Sequence, residues 1–157
     1  MTKTMKKPNR AKRIVNKRAA YGYLPIGELE IGMVLTGEEI KAIRAGHMHL
    51  TGSYGRILQG PNRPELWLVG AQISGTTADP QRSRKLLAHR REIDRLIGLV
   101  SQKGYTLVPK RVIFKSGRAK LILTISKGLK VHEKRQKIKD RDVKRDIARS
   151  LRKRLNT

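Results

Sequence analysis

The 157-residue sequence predicts a mainly β fold, a small antiparallel barrel of about six strands with two or three helices and a basic C-terminal tail. Three observations predict it. Short runs rich in β-branched and aromatic residues recur between Gly, Pro and Asn, as strands do. Two stretches between them have helical spacing and end signals. The charge is also partitioned: residues 1–20 hold eight Lys/Arg and no acid, 21–109 hold eleven against eight, and 110–157 hold eighteen against four, giving +8, +3 and +14. Like-charged blocks resist compaction. The expected organisation is therefore a basic arm over 1–20, a folded core over 21–126 and a basic tail over 127–157.

Strands are expected at 21–26, 31–35, 54–58 (YGRIL), 66–73 (LWLVGAQI), 105–114 (YTLVPKRVIF) and 118–126 (RAKLILTIS). Lys115-Ser116-Gly117 reads as a hairpin turn between the last two. The first helix should start at Thr36-Gly37-Glu38-Glu39. There Thr36 can accept from the Glu39 amide while the Glu39 carboxylate reaches back, with Ile40 and Ile43 on one face and Gly46 as terminator. The second should begin near His89, with Ile93, Leu96, Ile97 and Val100 forming a core-facing stripe and Gly104 beyond its end. Such a barrel, in a strongly basic chain of this size, points to the oligonucleotide-binding (OB) type, although strand counting alone leaves other small barrels open.

A net charge of +25 far exceeds the roughly 2 to 8 that keeps a small domain soluble, so a polyanionic partner is expected. No long apolar run and no amphipathic Trp/Phe face supports a membrane partner. The absence of cysteine excludes disulfides and thiolate metal sites. With no apolar segment behind the basic N-terminal residues, the cytoplasm and a monomeric state are expected. His47 and His49 are the only neighbouring histidines, His89 and His132 stand apart, and no acidic cluster completes a metal shell, so neither a metal nor another cofactor is expected. No nucleophile elbow or phosphate-binding glycine loop is present. A metal-dependent nuclease remains the enzyme alternative.

Cations and aromatics are better placed for binding RNA. Asn16-Lys17-Arg18 precedes Tyr21 and Tyr23, a grouping that can hold phosphates and stack on unpaired bases, with barrel packing the competing use of each tyrosine. Arg82, Arg84 and Lys85 follow a turn-rich stretch at 74–80, and phosphate contact is expected of all three. Trp67 reads as core.

Ordered strings along nearly the whole chain resemble the SsrA-binding protein (small protein B) family. They are NKRA (16–19), E-x-G-x-V-L-T-G-x-E-I-K-x-x-R-A-G (30–46), SY (53–54), LWL (66–68), DPxRxRKLL (79–87), EIDRLIG (92–98), KGYTLVP (103–109), GRAK (117–120) and KGxKxxxKR (127–135). The resemblance implies an OB-type barrel that binds the tRNA-like domain of transfer-messenger RNA and enters stalled 70S ribosomes with it, against small-subunit ribosomal RNA. It implies RNA contacts at Asn16, Lys17, Tyr21, Glu30, Leu87, Lys120, Lys127, Gly128 and Lys130. Lys17, Lys120, Lys127 and Lys130 suit phosphates, Asn16 suits base edges, and Gly128 permits close backbone approach. Glu30 is the oddity, a carboxylate that must accept from a base amine or a 2′-hydroxyl, or fix a nearby cation. Three departures stand out: Leu129 and Glu133 replace a lysine and an aspartate of the family pattern, Tyr21 stands where histidine is frequent, and the loop 74–79 is short. A ribosomal protein with an OB barrel and a basic extension is the other binding reading.

The tail carries Val143, Ile147, Leu151 and Leu155 at i, i+4 steps. That stripe is too narrow to order the segment alone, so a tail disordered when free and helical against a polyanionic wall is expected. The resemblance implies that the wall is the decoding centre and empty messenger channel. The residues expected to meet it are Lys134, Arg135, Lys137, Lys139, Lys144, Arg145, Ile147, Arg149, Leu151 and Arg152.

Overall fold

The computed structural model describes residues 12–155, with side chains as far as Arg152. In chain order the elements are β1 (Ile14–Val15), β2 (Tyr23–Met33), α1 (Gly37–Arg44), β3 (Met48–His49), β4 (Tyr54–Gln59), β5 (Pro64–Val69), β6 (Gln72–Ile73), β7 (Arg84–Leu87), α2 (Arg90–Val100), β8 (Tyr105–Lys115), β9 (Arg118–Gly128) and α3 (Val131–Leu155). Six strands pair in the closed antiparallel cycle β8-β4-β5-β7-β2-β9-β8, so each strand of this ring has a neighbour on both sides. β1 adds to β8 beside that ring, and β3 pairs with β6 as a separate ribbon. This is the OB-like barrel the sequence predicts.

The interior follows strand alternation. Ile31, Leu66, Leu68, Leu86, Leu107, Leu121 and Leu123 are fully buried and fill the barrel. Gly55 is needed where β4 crosses β8, because a Cβ there would lie 2.9 Å from Leu107 Cβ. The β8–β9 hairpin closes through Ser116 and Gly117, whose φ angles of 51° and 74° fit a two-residue turn matched to strand twist. Ile14 is buried and Asn16 is nearly so, which makes the end of the expected basic arm part of the barrel. Its residues 1–11 lie outside the described residues.

Several expected strand boundaries change. The segments expected at 21–26 and 31–35 are one strand, β2, with an irregularity between Pro25 and Gly27. The polar stretch between them stays in the sheet because Glu28 and Glu30 point outward while Leu29 and Ile31 point inward. The segment 66–73 breaks at Gly70, whose φ of 79° turns the chain so that Gln72 and Ile73 leave the barrel for β3. β7 has no counterpart among the expected strands. Its sequence, Arg84-Lys85-Leu86-Leu87, looks like a cation cluster, yet Leu86 is core and the strand closes the ring between β5 and β2.

Both helix starts are as expected. Thr36 Oγ1 accepts from the Glu39 amide at 3.3 Å while the Glu39 carboxylate accepts from the Thr36 amide at 3.0 Å. Glu92 accepts from the His89 amide at 2.7 Å. Ile93 and Leu96 are buried, and Ile97 and Val100 are half-buried on the same face. The tail is a continuous helix, α3, of 25 residues and so about 37 Å long at 1.5 Å per residue. Glu133 starts it by accepting from the Lys130 amide at 2.8 Å.

Candidate RNA-binding surfaces

The residues singled out for RNA contact separate into two groups toward opposite ends of the β2–β9 pair. Lys120 and Lys127 are seven residues apart on β9, about 23 Å along an extended strand.

The first group lies where β7, β2 and β9 run side by side. Leu87 and Lys120 both pair with Gly32, one from each flank, and the Leu87 side chain lies over the missing Gly32 side chain. Leu87 is 56% exposed, an apolar surface that a charged partner's backbone alone would not require. Glu30 stands two residues along β2, and Lys115 Nζ reaches its carboxylate at 3.3 and 3.4 Å. Of the roles open to Glu30, fixing a neighbouring cation is therefore the one visible in the fold. Lys110 and Glu28 form a second such bridge, so two ion pairs pass from β8 to β2 over the outer face of β9. Ile122 and Thr124 beneath them are buried. Exposed bridges of this kind contribute little stability.

The second group surrounds the root of the tail. Tyr23 pairs with Gly128 and Leu24 with Lys127, and the Gly128 amide donates to the Gly104 carbonyl at 2.8 Å. Lys127 Nζ lies 6.0 Å from the Tyr105 ring centroid. Lys17, Lys127 and Lys130 are exposed. Tyr21 is exposed too, and its ring carries the Arg141 guanidinium at 4.8 Å. Lys137 is half-buried and donates to the Tyr23 carbonyl at 2.8 Å. The Leu129 amide donates to the Gly22 carbonyl at 2.9 Å, which brings the family's missing lysine position against the barrel.

Asn16 has a different job from reading base edges. It is 7% exposed, and its amide nitrogen donates to the Leu50 and Pro109 carbonyls at 3.2 and 2.9 Å while its oxygen accepts from the Arg18 amide at 3.1 Å. With both donors spent, Asn16 positions Lys17, Arg18 and Tyr21.

The expected phosphate cluster at 82–85 is corrected most sharply. Arg84 is fully buried: Nε donates to Glu39 at 2.9 Å, Nη1 to the Ala71 and Arg82 carbonyls at 2.9 and 2.8 Å, and Nη2 to the Pro80 carbonyl at 3.1 Å. Arg82 donates to both oxygens of the same buried carboxylate. Arg84, enclosed this way, presents no accessible donor to a phosphate, whereas Arg82 keeps about a third of its side chain, 32%, exposed. Burial pushes the Glu39 carboxyl up, but hydrogen bonds from Arg82, the Thr36 amide and Arg84 outweigh it and hold the group below its ordinary value. Lys85 keeps partial exposure and is paired with Glu65 at 2.6 Å. The Glu65 carboxyl is held below its ordinary value chiefly by that hydrogen bond.

Along α3, Lys134, Arg135, Lys139, Lys144, Arg145, Arg149 and Arg152 are exposed, and so are Val143, Ile147 and Leu151 at over half of their surface. The helix touches the barrel through its first turns and extends beyond it. Its apolar stripe meets no other described element.

Residue reasoning passed over Lys115, which was spent on the hairpin turn. All four histidines are exposed, and among the described residues no three His, Asp or Glu side chains gather as a metal shell. No described helix is long and apolar enough to cross a membrane.

A closed OB-like barrel with two cation-bearing surfaces and a projecting basic helix defines an RNA-binding protein. The chain belongs to the SmpB protein family, whose profile matches residues 13–153. It is 45% identical over 154 residues to an SsrA-binding protein of Albidiferax ferrireducens, covering 93% of this chain and 96% of that one. It is 46% identical over 143 residues to an SsrA-binding protein of Chloroflexus aurantiacus, covering 87% of each. A solved structure described as "tmRNA-SmpB: a journey to the center of the bacterial ribosome" matches with a TM-score of 0.60 and 39% identity, over 76% of this chain and 85% of that chain.

Proposed function

We propose that this chain is a non-catalytic, cytoplasmic and monomeric RNA-binding protein of trans-translation. It binds the tRNA-like domain of transfer-messenger RNA and helps deliver it to stalled ribosomes, so that the incomplete peptide is tagged and the ribosome released. The observation that carries this reading is the match to the chain of the tmRNA–SmpB structure, at 39% identity across 76% of this sequence.

The geometry supports a division of labour. The barrel, with nineteen Lys/Arg against eight acids over residues 14–128, presents rigid, strand-held contacts: Lys120 for phosphate, Leu87 over Gly32 for an apolar sugar or base edge, and Glu30 held by Lys115 as an acceptor for a base amine or 2′-hydroxyl. Lys17, Lys127 and Lys130 add cations at the opposite end. α3 supplies charge on a helix that projects beyond the barrel, which suits it to lie along an anionic channel. Lys134, Arg135, Lys139, Lys144, Arg145, Arg149 and Arg152 neutralise ribosomal phosphates, while Ile147 and Leu151 pack against bases of the decoding centre. Beyond its contacts with Tyr21 and Tyr23 the helix α3 has no tertiary burial, so it is expected to lose order in solution and to be fixed as a helix on the ribosome. The peptide chemistry is left to the ribosome.

Removing residues 131–157 tests this. The truncated chain is expected to bind transfer-messenger RNA within about threefold of the full chain, since phosphate contacts on the barrel remain, and to lose tagging of stalled peptides. Equal loss of both activities would contradict the division.

A further inference from the structure

Helix α3 inverts the usual pattern of an amphipathic helix, in which apolar side chains face the protein and cations face water. Of its described side chains, over 131–152, only Lys137 and Arg141 are not exposed, while Val143, Ile147 and Leu151 keep over half of their surface in solvent. The two cations stand one turn apart and both meet the start of β2. Lys137 Nζ donates to the Tyr23 carbonyl at 2.8 Å, and the Arg141 guanidinium lies 4.8 Å from the Tyr21 ring centroid.

Lys134 and Ile138 complete this face, since 134, 137, 138 and 141 follow the i, i+3, i+4, i+7 spacing of a packed helix side. Exposed Lys134 lies over Gly22, and the four side chains leave only about 10 Å³ against Ala20, Tyr21 and Gly22, room for at most one water. At 3.6 residues per turn Val143 lies roughly 170° around the helix from the centre of that face, so the apolar stripe starts on the far side. The seat itself is stiff. Buried Asn16 ties the segment bearing Tyr21 to the Leu50 and Pro109 carbonyls, Tyr23 is paired with Gly128, and the Leu129 amide donates to the Gly22 carbonyl just before the helix. A cation fixed by a backbone carbonyl or an aromatic face is engaged with its own fold, and what it supplies is direction.

We propose that Lys137 and Arg141 are positioning residues: they clamp the root of α3 to the barrel and set the direction in which the rest of the tail leaves it. Lys137 is thereby part of the seat and not of the ribosome-facing surface on which its charge first placed it. The helix divides after Arg141 into a seated root, 131–141, and a projecting part, 142–155, about 21 Å long at 1.5 Å per residue. The proposal rests on the trans-translation reading above and says what the first turns of the tail do there. A barrel seated on one RNA presents the tail to another at a fixed angle, which removes a search over orientations.

The test combines hydrogen exchange of the free full-length chain with RNA affinity and tagging. A cation over a ring and a charged donor on a carbonyl shift an equilibrium by roughly twofold and tenfold at the low end. Wild-type amides at 135–141 should therefore exchange at least about tenfold more slowly than those at 145–155. Lys137→Met with Arg141→Gln, both good helix formers, should bring the two segments within about threefold of each other. The same variant should bind transfer-messenger RNA within about threefold of wild type and lower tagging of stalled peptides at least about fivefold, as the correctly aimed fraction falls. Lys137→Arg with Arg141→Lys, which keeps donor and cation, should restore protection and tagging together. Arg135→Gln with Lys139→Met removes the same charge from exposed positions of the same turns and should leave the protection at 135–141 intact. Uniform exchange along wild-type α3, or loss of protection in the exposed pair as well, overturns the clamp. Normal tagging by the unprotected variant, or an equal loss of affinity for transfer-messenger RNA, overturns the positioning role. A wild-type chain that neither binds transfer-messenger RNA nor supports tagging overturns the functional reading, while the exchange pattern still decides the clamp.

Discussion

Arg84→Met removes a guanidinium that sequence reasoning placed on RNA and the fold places in the core. The side chain is fully buried and donates four hydrogen bonds, one to Glu39 and three to backbone carbonyls. Methionine fills much of the same volume but leaves the Ala71, Arg82 and Pro80 carbonyls without this donor. It also leaves Glu39 to Arg82 and the Thr36 amide alone. Breaking a buried pair from one side costs about 3 to 5 kcal/mol. At roughly 2 to 4 °C per kcal/mol for a chain of this size, Tm should fall by about 6 to 20 °C. The assay is thermal unfolding followed by circular dichroism, paired with RNA affinity measured well below the transition, where binding should be unchanged within about twofold because this residue makes no phosphate contact. A variant with unchanged Tm and tenfold weaker binding would refute the burial argument and restore Arg84 to the RNA surface.

Three further outcomes follow from the same structure. Because the Glu39 carboxyl lies below its ordinary value of 4.5 in the folded chain, its contribution to stability is present above that pH and is lost as pH falls through the folded value. Glu39→Gln, which keeps a capping side chain, should therefore be less stable than wild type at neutral pH, with the gap closing below about pH 4.5, and an equal gap at pH 7 and pH 3 would contradict this. Gly55→Ala should lower the urea midpoint by the equivalent of about 1 to 3 kcal/mol, since its Cβ would press on Leu107 within a closed barrel, and an unchanged midpoint would contradict the close crossing. Glu30→Ala should weaken binding to the tRNA-like domain, measured by fluorescence anisotropy at fixed salt, despite removing a negative charge. Unchanged or tighter binding would show that the carboxylate held by Lys115 makes no specific contact.

How far the sequence could be read depended on whether a residue's meaning was local. The capping box at Thr36 and Glu39, the stripe of α2 and the hairpin at Ser116-Gly117 are set by neighbours a few positions away, and all three have the expected form. Glu39 shows where this stops. The same carboxylate that caps α1 is also the buried partner of Arg82 and Arg84, more than forty residues on. No local pattern distinguishes a cation folded onto a distant acid from one waiting for phosphate. β7 was missed for the same reason, since Arg84 and Lys85 hide the alternation that Leu86 continues inward. Glu30, Leu87 and Lys120 were named one by one from the family resemblance, and their meeting around Gly32 is a property of strand register that only the closed ring supplies. Tyr21 was read as either stacking or packing; the fold gives it an exposed ring and a cation from the tail.

The account stands most directly on the RNA that this chain chooses. The full-length protein should be captured from cells at about 0.2 M salt, where nonspecific phosphate contacts are strongly weakened, and the RNA retained with it sequenced. The result expected is transfer-messenger RNA in clear excess over ribosomal RNA. Ribosomal RNA alone, with the protein held stoichiometrically on idle small subunits, would contradict it.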